Sequence, residues 1–150
     1  KQWKEVFKCS IYLCESSKLK AIISTHYRTA KKLKDINIKN SNLIFKKPFG
    51  FFDYMKLQMD SYVTLSDSGT LSEESSVIGR CSVHLRHCTE RPEGIENGAI
   101  ILGGLSKQKL ISSVKIARST NKVINHDSYN KDNVSEVILK SVISYLYYYK

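Results

Sequence analysis

The sequence predicts an α/β fold, in which helices cover both faces of a parallel sheet. Short apolar runs alternate with longer amphipathic segments along the chain, as in a series of strand–helix units. The links between these segments are short, as a parallel sheet with crossover helices requires. With 150 residues, of which 41% are hydrophobic, the chain is long enough to bury the core of one domain.

The predicted elements follow one another in order. Helices are expected where apolar residues recur at a spacing of three or four, and strands where β-branched and aromatic residues run together. Residues 119–133 are polar and rich in turn formers, so we expect a loop there. The predicted helices are 2–14, 29–35, 53–59, 71–78, 106–117 and 134–148, and the predicted strands are 20–24, 43–45, 62–65, 81–85 and 99–102.

A strand, a glycine turn and the start of a helix follow one another between residues 62 and 78. Gly69 allows the backbone to approach a bound anion closely, and Ser68 and Thr70 add hydroxyl groups. The helix that begins at Leu71 presents unpaired N–H groups and the positive end of its dipole. The pattern predicts a phosphate-binding turn, although a capped helix after a polar turn would give the same pattern.

Two consecutive carboxylates, Glu73 and Glu74, lie in the first turn of this helix. Successive residues of a helix point about 100° apart, so the two carboxylates are expected to have different roles. Thr70 and Glu73 fit the S/T-x-x-E capping box. We therefore assign Glu73 to the helix cap and Glu74 to a ligand, in particular to a pair of sugar hydroxyls.

Arg86 directly follows the next predicted strand, 81–85. Ligands of open α/β sheets bind beyond the carboxyl ends of the strands, and a guanidinium group suits bidentate contact with phosphate. An isolated arginine at such a place would be read as a surface residue. Anion-binding chemistry at two consecutive strand ends instead favours a binding site.

Two motifs resemble the signature of the non-hydrolysing UDP-N-acetylglucosamine 2-epimerases. That family has a D-S-G-[GT]-x-x-E-E helix start and, one helix and one strand later, an R-x-x-T-E-R-P-E loop, which correspond to residues 67–74 and 86–93. Segments 24–29 and 47–54 resemble the subgroup that forms UDP-N-acetyl-L-fucosamine for bacterial capsule and O-antigen, and segment 133–136 resembles the C-terminal end of the family. The resemblance implies that residues 1–150 are the UDP-binding C-terminal domain, a Rossmann-like half of a GT-B-type fold, without the N-terminal catalytic domain.

The resemblance also implies roles for particular residues. Tyr54 would pack near the uracil, Glu74 would bind the ribose hydroxyls, and Arg86 would contact the diphosphate or the sugar. His26 would lie near the sugar-nucleotide cleft, where some relatives bind a second, regulatory UDP-sugar. The residues implied to bind UDP are Tyr54, Ser68, Gly69, Thr70, Glu74 and Arg86. No cofactor and no metal ion is implied.

The implied activity is inversion at C2 of a UDP-2-acetamido sugar, by elimination of UDP and its re-addition. This reaction needs a base for the C2 proton and an acid near the leaving oxygen, and the family's catalytic acids lie in the N-terminal domain. We expect the domain to bind a UDP-sugar and to be inactive alone. The resemblance also allows this chain to form a homo-oligomer. The alternatives are a non-catalytic nucleotide-sugar-binding module and a glycosyltransferase C-terminal domain, and the R-x-x-T-E-R-P-E loop argues against the second.

The charge of the chain does not by itself indicate a nucleic-acid partner. The formal net charge is +10, but the lysines are scattered and are not interleaved with aromatic residues. We read them as solvated side chains. The sequence has no apolar run of membrane-spanning length and no recognisable signal peptide, so we expect a cytoplasmic protein with reduced thiols and no membrane contact.

A set of cysteines and histidines near the second motif has the spacing C-x-x-H-x-x-H-C, which superficially suggests zinc. In a strand, however, Cys81 and His84 would face opposite sides, so the four groups would not converge on one ion. Residues 80–84 are also more polar than the apolar strand that the family has at this position. The amphipathic C-terminal helix is expected to pack against another domain.

Overall fold

The computed structural model describes residues 2–27, 30, 40–120, 129 and 131–146. The predicted helix 29–35 and most of the predicted loop 119–133 lie outside these residues. The helices are α1 (Gln2–Ser17), α2 (Phe51–Asp60), α3 (Leu71–Ile78), α4 (Glu93–Glu96), α5 (Lys107–Ser119) and α6 (Val134–Leu146). The strands are β1 (Ala21–Ser24), β2 (Leu43–Lys46), β3 (Leu65–Ser66), β4 (Ser82–His84) and β5 (Ile100–Leu102).

All strand pairs in these residues are parallel, which confirms the predicted α/β class. Strand β1 pairs with β2, so that Ala21 lies opposite Leu43. The second sheet has the order β3-β4-β5, so that β4 is its central strand. Parallel strands bring their carboxyl ends to one edge, and the turns that follow β3, β4 and β5 therefore meet there.

Strand β4 separates an apolar side of the domain from a polar one. Val83 is fully buried in a cluster with residues of α1 and α5, among them Val6, Cys9, Leu110 and Val114. On the other side, the hydroxyl of Ser75 in α3 donates a hydrogen bond of 2.8 Å to the hydroxyl of Ser82. Cys81 belongs to the apolar cluster, so it faces away from His84, as strand alternation predicts.

Helix α3 has the bounds that the sequence predicts. It begins at Leu71 and ends at Ile78, and Gly79 follows with a φ of 73°. This left-handed conformation is accessible to glycine at little cost, and it allows the Gly79 N–H to bond to the Ser75 carbonyl oxygen. The polar face of α3 is anchored by Asn97, whose amide donates 2.9 Å to the Ser76 hydroxyl.

The predicted strand 62–65 is longer than the strand that forms. Only Leu65 and Ser66 are paired in β3. Tyr62 lies outside the sheet, and the guanidinium of Arg118 in α5 lies 4.3 Å from the centre of its ring. Hydrogen bonding to β4 starts at Thr64, whose carbonyl oxygen accepts the Val83 N–H at 2.9 Å.

Helix α6 differs from the other long helices, because none of its residues is buried. Its apolar side chains Ile138, Leu139 and Leu146 are more than half exposed. No helix within the described part of the chain is both long and apolar enough to cross a membrane.

Candidate nucleotide-binding site

The turn formed by residues 67–70, which we call the nucleotide turn, joins β3 to α3 at the carboxyl edge of the sheet. The Leu71 N–H reaches the Ser68 carbonyl oxygen at 3.3 Å, and the Ser72 N–H reaches that of Gly69 at 3.5 Å. Both are long hydrogen bonds, so the first turn of α3 is only weakly satisfied by its own backbone. A helix start of this kind is suited to an anion.

The hydroxyl groups of the turn lie together. The Ser68 and Thr70 oxygens are 2.9 Å apart, and the Ser68 N–H donates to the Ser66 hydroxyl at 3.1 Å. The structure therefore brings together Ser68 and Thr70, the two hydroxyl residues that the sequence predicts for phosphate contact.

Glu74 is held in a fixed direction by two neighbours. The Thr70 hydroxyl donates 2.8 Å to Oε1, and the Gln58 amide donates 2.7 Å to Oε2. Gln58 is buried in α2, with only 5% of its surface exposed, so it is a rigid support. The carboxylate of Glu74 is thus oriented beside the turn before any ligand binds.

The predicted capping box between Thr70 and Glu73 is wrong. Thr70 has helical angles, with φ −67° and ψ −7°, and its side chain makes no capping hydrogen bond. Its hydroxyl binds Glu74 instead, while Glu73 accepts a 2.5 Å hydrogen bond from Nε of Arg91. A guanidinium is a stronger partner for a carboxylate than a backbone N–H, and the capping pattern carries no information about a residue eighteen positions away.

Arg86 connects the end of β4 to the nucleotide turn. Its Nε donates a 2.7 Å hydrogen bond to the carbonyl oxygen of Asp67, and Glu90 lies 3.9 Å from Nη1. Arg86 is partly exposed, so the rest of its guanidinium faces outward beside the turn. The expectation that two consecutive strand ends come together is confirmed by this contact.

Sequence reasoning missed Arg91 as a residue of this site. Its guanidinium lies against Gly69, where a Cβ atom would come within 2.5 Å of Nη1. Gly69 therefore leaves room for an arginine as well as for a ligand. The available signal was the second arginine of the R-x-x-T-E-R-P-E loop, which follows Arg86 by five positions.

The two remaining predicted site residues lie in different places. Tyr54 of α2 is half-buried beside Glu74, and burial, followed by the negative charge of Glu74, raises the pKa of its phenol. His26 follows β1 in the other sheet and is exposed. Its ring lies against that of Tyr27, with centroids 4.2 Å apart.

The four cysteines of the chain differ in accessibility. Cys88, in the loop between Arg86 and Arg91, is exposed, whereas Cys9, Cys14 and Cys81 are buried. Burial raises the pKa of the Cys81 thiol to about 11. Burial also raises the pKa of Cys9 and of Cys14 above the usual value of a thiol.

Comparison with known proteins gives consistent matches over most of the chain. The family model described as UDP-N-acetylglucosamine 2-epimerase matches residues 1–143. The UDP-N-acetylglucosamine 2-epimerase of Methanocaldococcus jannaschii is 40% identical over 103 residues, which are 65% of this chain and 28% of that protein.

Solved structures of such proteins have the same fold. The crystal structure of the M. jannaschii UDP-GlcNAc 2-epimerase in complex with UDP-GlcNAc and UDP matches with a TM-score of 0.78 and 28% identity, over 93% of this chain and 41% of that one. The UDP-N-acetylglucosamine 2-epimerase of Rickettsia bellii matches with the same TM-score of 0.78 and 32% identity, over 97% of this chain and 42% of that one.

The chain thus spans well under half the length of the relatives that it matches. Within that span, the matched family model and the motifs at residues 67–74 and 86–93 agree. The chain belongs to the UDP-N-acetylglucosamine 2-epimerase family.

Proposed function

We propose that this chain is the UDP-sugar-binding domain of a UDP-N-acetylglucosamine 2-epimerase that acts in the synthesis of bacterial surface polysaccharide. The main support is the convergence of two arginines on one glycine turn. Arg86 binds the carbonyl oxygen of Asp67, and Arg91 lies against Gly69. The guanidinium of Arg86 and the helix start favour a diphosphate electrostatically, and the guanidinium of Arg91, which is paired with Glu73, adds hydrogen-bond donors beside the turn.

In this proposal, each part of the ligand has its own partner. The diphosphate lies over Gly69 and Thr70, with Ser68 donating its hydroxyl. The oriented carboxylate of Glu74 accepts hydrogen bonds from the ribose hydroxyls, and Tyr54 packs near the uracil. The crystal structure of the M. jannaschii protein is a complex with UDP-GlcNAc and UDP, which supports this class of ligand. We assign His26 to a second, regulatory UDP-sugar position.

We further propose that the C2 inversion itself uses groups from outside residues 1–150. The two carboxylates in the first turn of α3 are already engaged, because Glu73 pairs with Arg91 and Glu74 is held by Thr70 and Gln58. A general base must be able to approach the proton that it removes. This observation also supports the second candidate, a nucleotide-sugar-binding module without catalysis.

Calorimetric titration of the purified chain with UDP, and with ATP as the control nucleotide, tests the proposal. We expect UDP to bind with a dissociation constant on the order of micromolar to millimolar and ATP not to bind. A folded chain that binds neither nucleotide would contradict the proposal. Incubation with UDP-N-acetylglucosamine and analysis of the sugar by NMR then tests the origin of the catalytic groups. We expect no C2 epimer from this chain alone, and release of the epimer would contradict the proposal that these groups lie outside residues 1–150 and would also exclude the second candidate.

A further inference from the structure

The buried histidine of β4 is the most unusual polar group beside the nucleotide turn. His84 is completely enclosed, with 0% of its surface exposed. Within the described residues, neither Nδ1 nor Nε2 of its ring makes a hydrogen bond. A buried polar group without a hydrogen bond is costly, so the position of His84 needs a physical explanation.

The register of the sheet brings His84 next to the turn. His84 is the last residue of the central strand, and it lies opposite Ser66 on β3 and Leu102 on β5. Ser66 accepts the N–H of Ser68, and Asp67 follows it directly. His84 therefore lies beside Ser66, the residue directly before the turn that carries the proposed diphosphate.

Strand alternation also determines the side on which His84 lies. Ser82 is two residues earlier on the same face, and its hydroxyl bonds to Ser75 of α3. His84 thus faces the helix whose first turn belongs to the proposed site. Another fully buried polar residue of this region, Ser72 in the first turn of α3, also has a hydroxyl without a hydrogen bond.

The surrounding charges favour a neutral ring in the free protein. Burial, followed by the positive charge of Arg86, lowers the pKa of His84 below its usual value. The backbone and carboxylate of Asp67, and the carboxylate of Glu90, act in the opposite direction but with less effect. Asp67 lies close to the ring without reaching hydrogen-bond geometry. Glu73 and Arg91, the other charged residues at the turn, form an ion pair, so their opposite charges largely cancel at the His84 ring.

We propose that His84 takes up a proton from solvent when the diphosphate of a UDP-sugar binds at the turn, and that this uptake couples nucleotide binding to pH. The negative charge of the diphosphate favours the imidazolium form, and the attraction is strong because the ring is shielded from water. Protonation turns both ring nitrogens into donors, whereas the neutral ring has only one, so the ring gains a hydrogen-bond donor beside the turn.

In this role His84 is a positioning residue, which acts on the ligand through the turn and does not touch the reacting atoms. The inference rests on the proposed nucleotide site. It concerns a buried residue of β4 that lies outside both motifs, residues 67–74 and 86–93.

The test is calorimetric titration with UDP-N-acetylglucosamine in two buffers that differ in ionisation enthalpy, neither of them phosphate. The sugar nucleotide is preferred to UDP, because its diphosphate is a diester and does not itself titrate near neutral pH. We expect net proton uptake near pH 6.5, and an affinity that rises about three- to tenfold between about pH 7.5 and about pH 5.5. H84N should abolish both effects, whereas H87N, which alters an exposed histidine of the loop after β4, should retain them.

The outcomes distinguish this inference from the proposed function. A wild-type chain that binds the ligand with the same heat in both buffers, or an H84N chain that still takes up protons, would overturn the role of His84 alone. A folded chain without binding at any pH would overturn the nucleotide site and this inference with it. If H84N does not fold, NMR titration of the His84 ring in the wild type decides, because its protonation midpoint must rise when the sugar nucleotide is added.

Discussion

At the scale of single residues, the proposed site depends on side chains whose direction is fixed before a ligand arrives. Glu74 receives one hydrogen bond from Thr70 and one from Gln58, and these leave its remaining lone pairs in a defined orientation. Preorganisation of this kind reduces the entropy that is lost on binding. The same logic applies to Arg86 and Arg91, which are each held through Nε while their terminal nitrogens lie beside the turn.

Removal of the Glu74 carboxylate should weaken the binding of UDP. We expect Glu74→Ala to cost about 1–3 kcal/mol of binding free energy, the range for the loss of a charge-assisted hydrogen bond. Calorimetric titration of the variant and of Glu96→Ala gives the comparison, since Glu96 is an exposed carboxylate of α4. Equal affinities for the two variants would contradict the role of Glu74.

The two arginines should each contribute to the affinity for the diphosphate. We expect Arg86→Ala and Arg91→Ala to weaken UDP binding by about 1–3 kcal/mol each. Arg118→Ala removes the same charge from the far side of the sheet, where Arg118 lies over Tyr62, and should leave the affinity almost unchanged. The affinities from titrations at one ionic strength are compared, because salt screens these charges. If all three variants lose the same affinity, the effect is one of net charge and the assignment to the turn is wrong.

The partners of Glu73 and Glu74 show which side-chain contacts can be predicted from the sequence and which cannot. Helical geometry correctly predicts that the two carboxylates have different roles. The actual partner of Glu73 is Arg91, which lies one helix and one strand further along the chain. A local pattern such as a capping box contains no information about a partner that only the tertiary fold brings near, and such a partner can replace the local one.

At the scale of elements, the second half of α3 is fixed by a buried amide. Asn97 donates to the Ser76 hydroxyl and accepts the Ala99 N–H, both at 2.9 Å, so one side chain connects α3 with the chain that leads into β5. Only 2% of Asn97 is exposed.

Loss of this amide should destabilise the domain. We expect Asn97→Ala to lower the free energy of unfolding by about 1–3 kcal/mol, because the Ser76 hydroxyl and the Ala99 N–H lose a buried partner. Urea denaturation followed by circular dichroism measures the change, with the neighbouring exposed variant Glu96→Ala as the control. A midpoint for Asn97→Ala as high as that of the control would show that these hydrogen bonds do not contribute.

The elements also differ in how well the sequence predicts them. The bounds of α3 are correct because a local signal, Gly79 in the left-handed conformation, ends the helix. The predicted strand 62–65 begins too early, since bonding to β4 starts only at Thr64, and Tyr62 instead contacts Arg118, more than fifty positions away. A helix end that depends on a local glycine can be predicted from the sequence, whereas a contact between an aromatic ring and a distant residue cannot.

At the scale of the whole molecule, burial is unevenly distributed. Strand β4 and helix α5 contain several of the most enclosed residues, including Val83 and Leu110, both of which are 0% exposed. Helix α6 has no buried residue although its sequence is strongly apolar. The parallel α/β class is predictable from the alternation of elements. The exposure of α6 is compatible with the expectation that this helix packs against another domain, which stays a prediction.

This difference should appear in hydrogen exchange. We expect the amides of β4 and α5 to be the most protected, and those of α6 to exchange faster by orders of magnitude, because few contacts oppose the local opening of an exposed helix. Exchange measured by mass spectrometry on the purified chain at neutral pH gives the ranking. Protection of α6 equal to that of α5 would mean that another surface covers it in solution.

The distribution of the cysteines provides a practical consequence. Burial and a raised pKa make Cys9, Cys14 and Cys81 slow to react at neutral pH, and these, together with Cys88, are all the cysteines of the chain. A maleimide dye should therefore attach at Cys88 without any engineering of the sequence. Its emission would report occupancy of the turn from a position between Arg86 and Arg91, so that a fluorimeter could follow ligand exchange in real time.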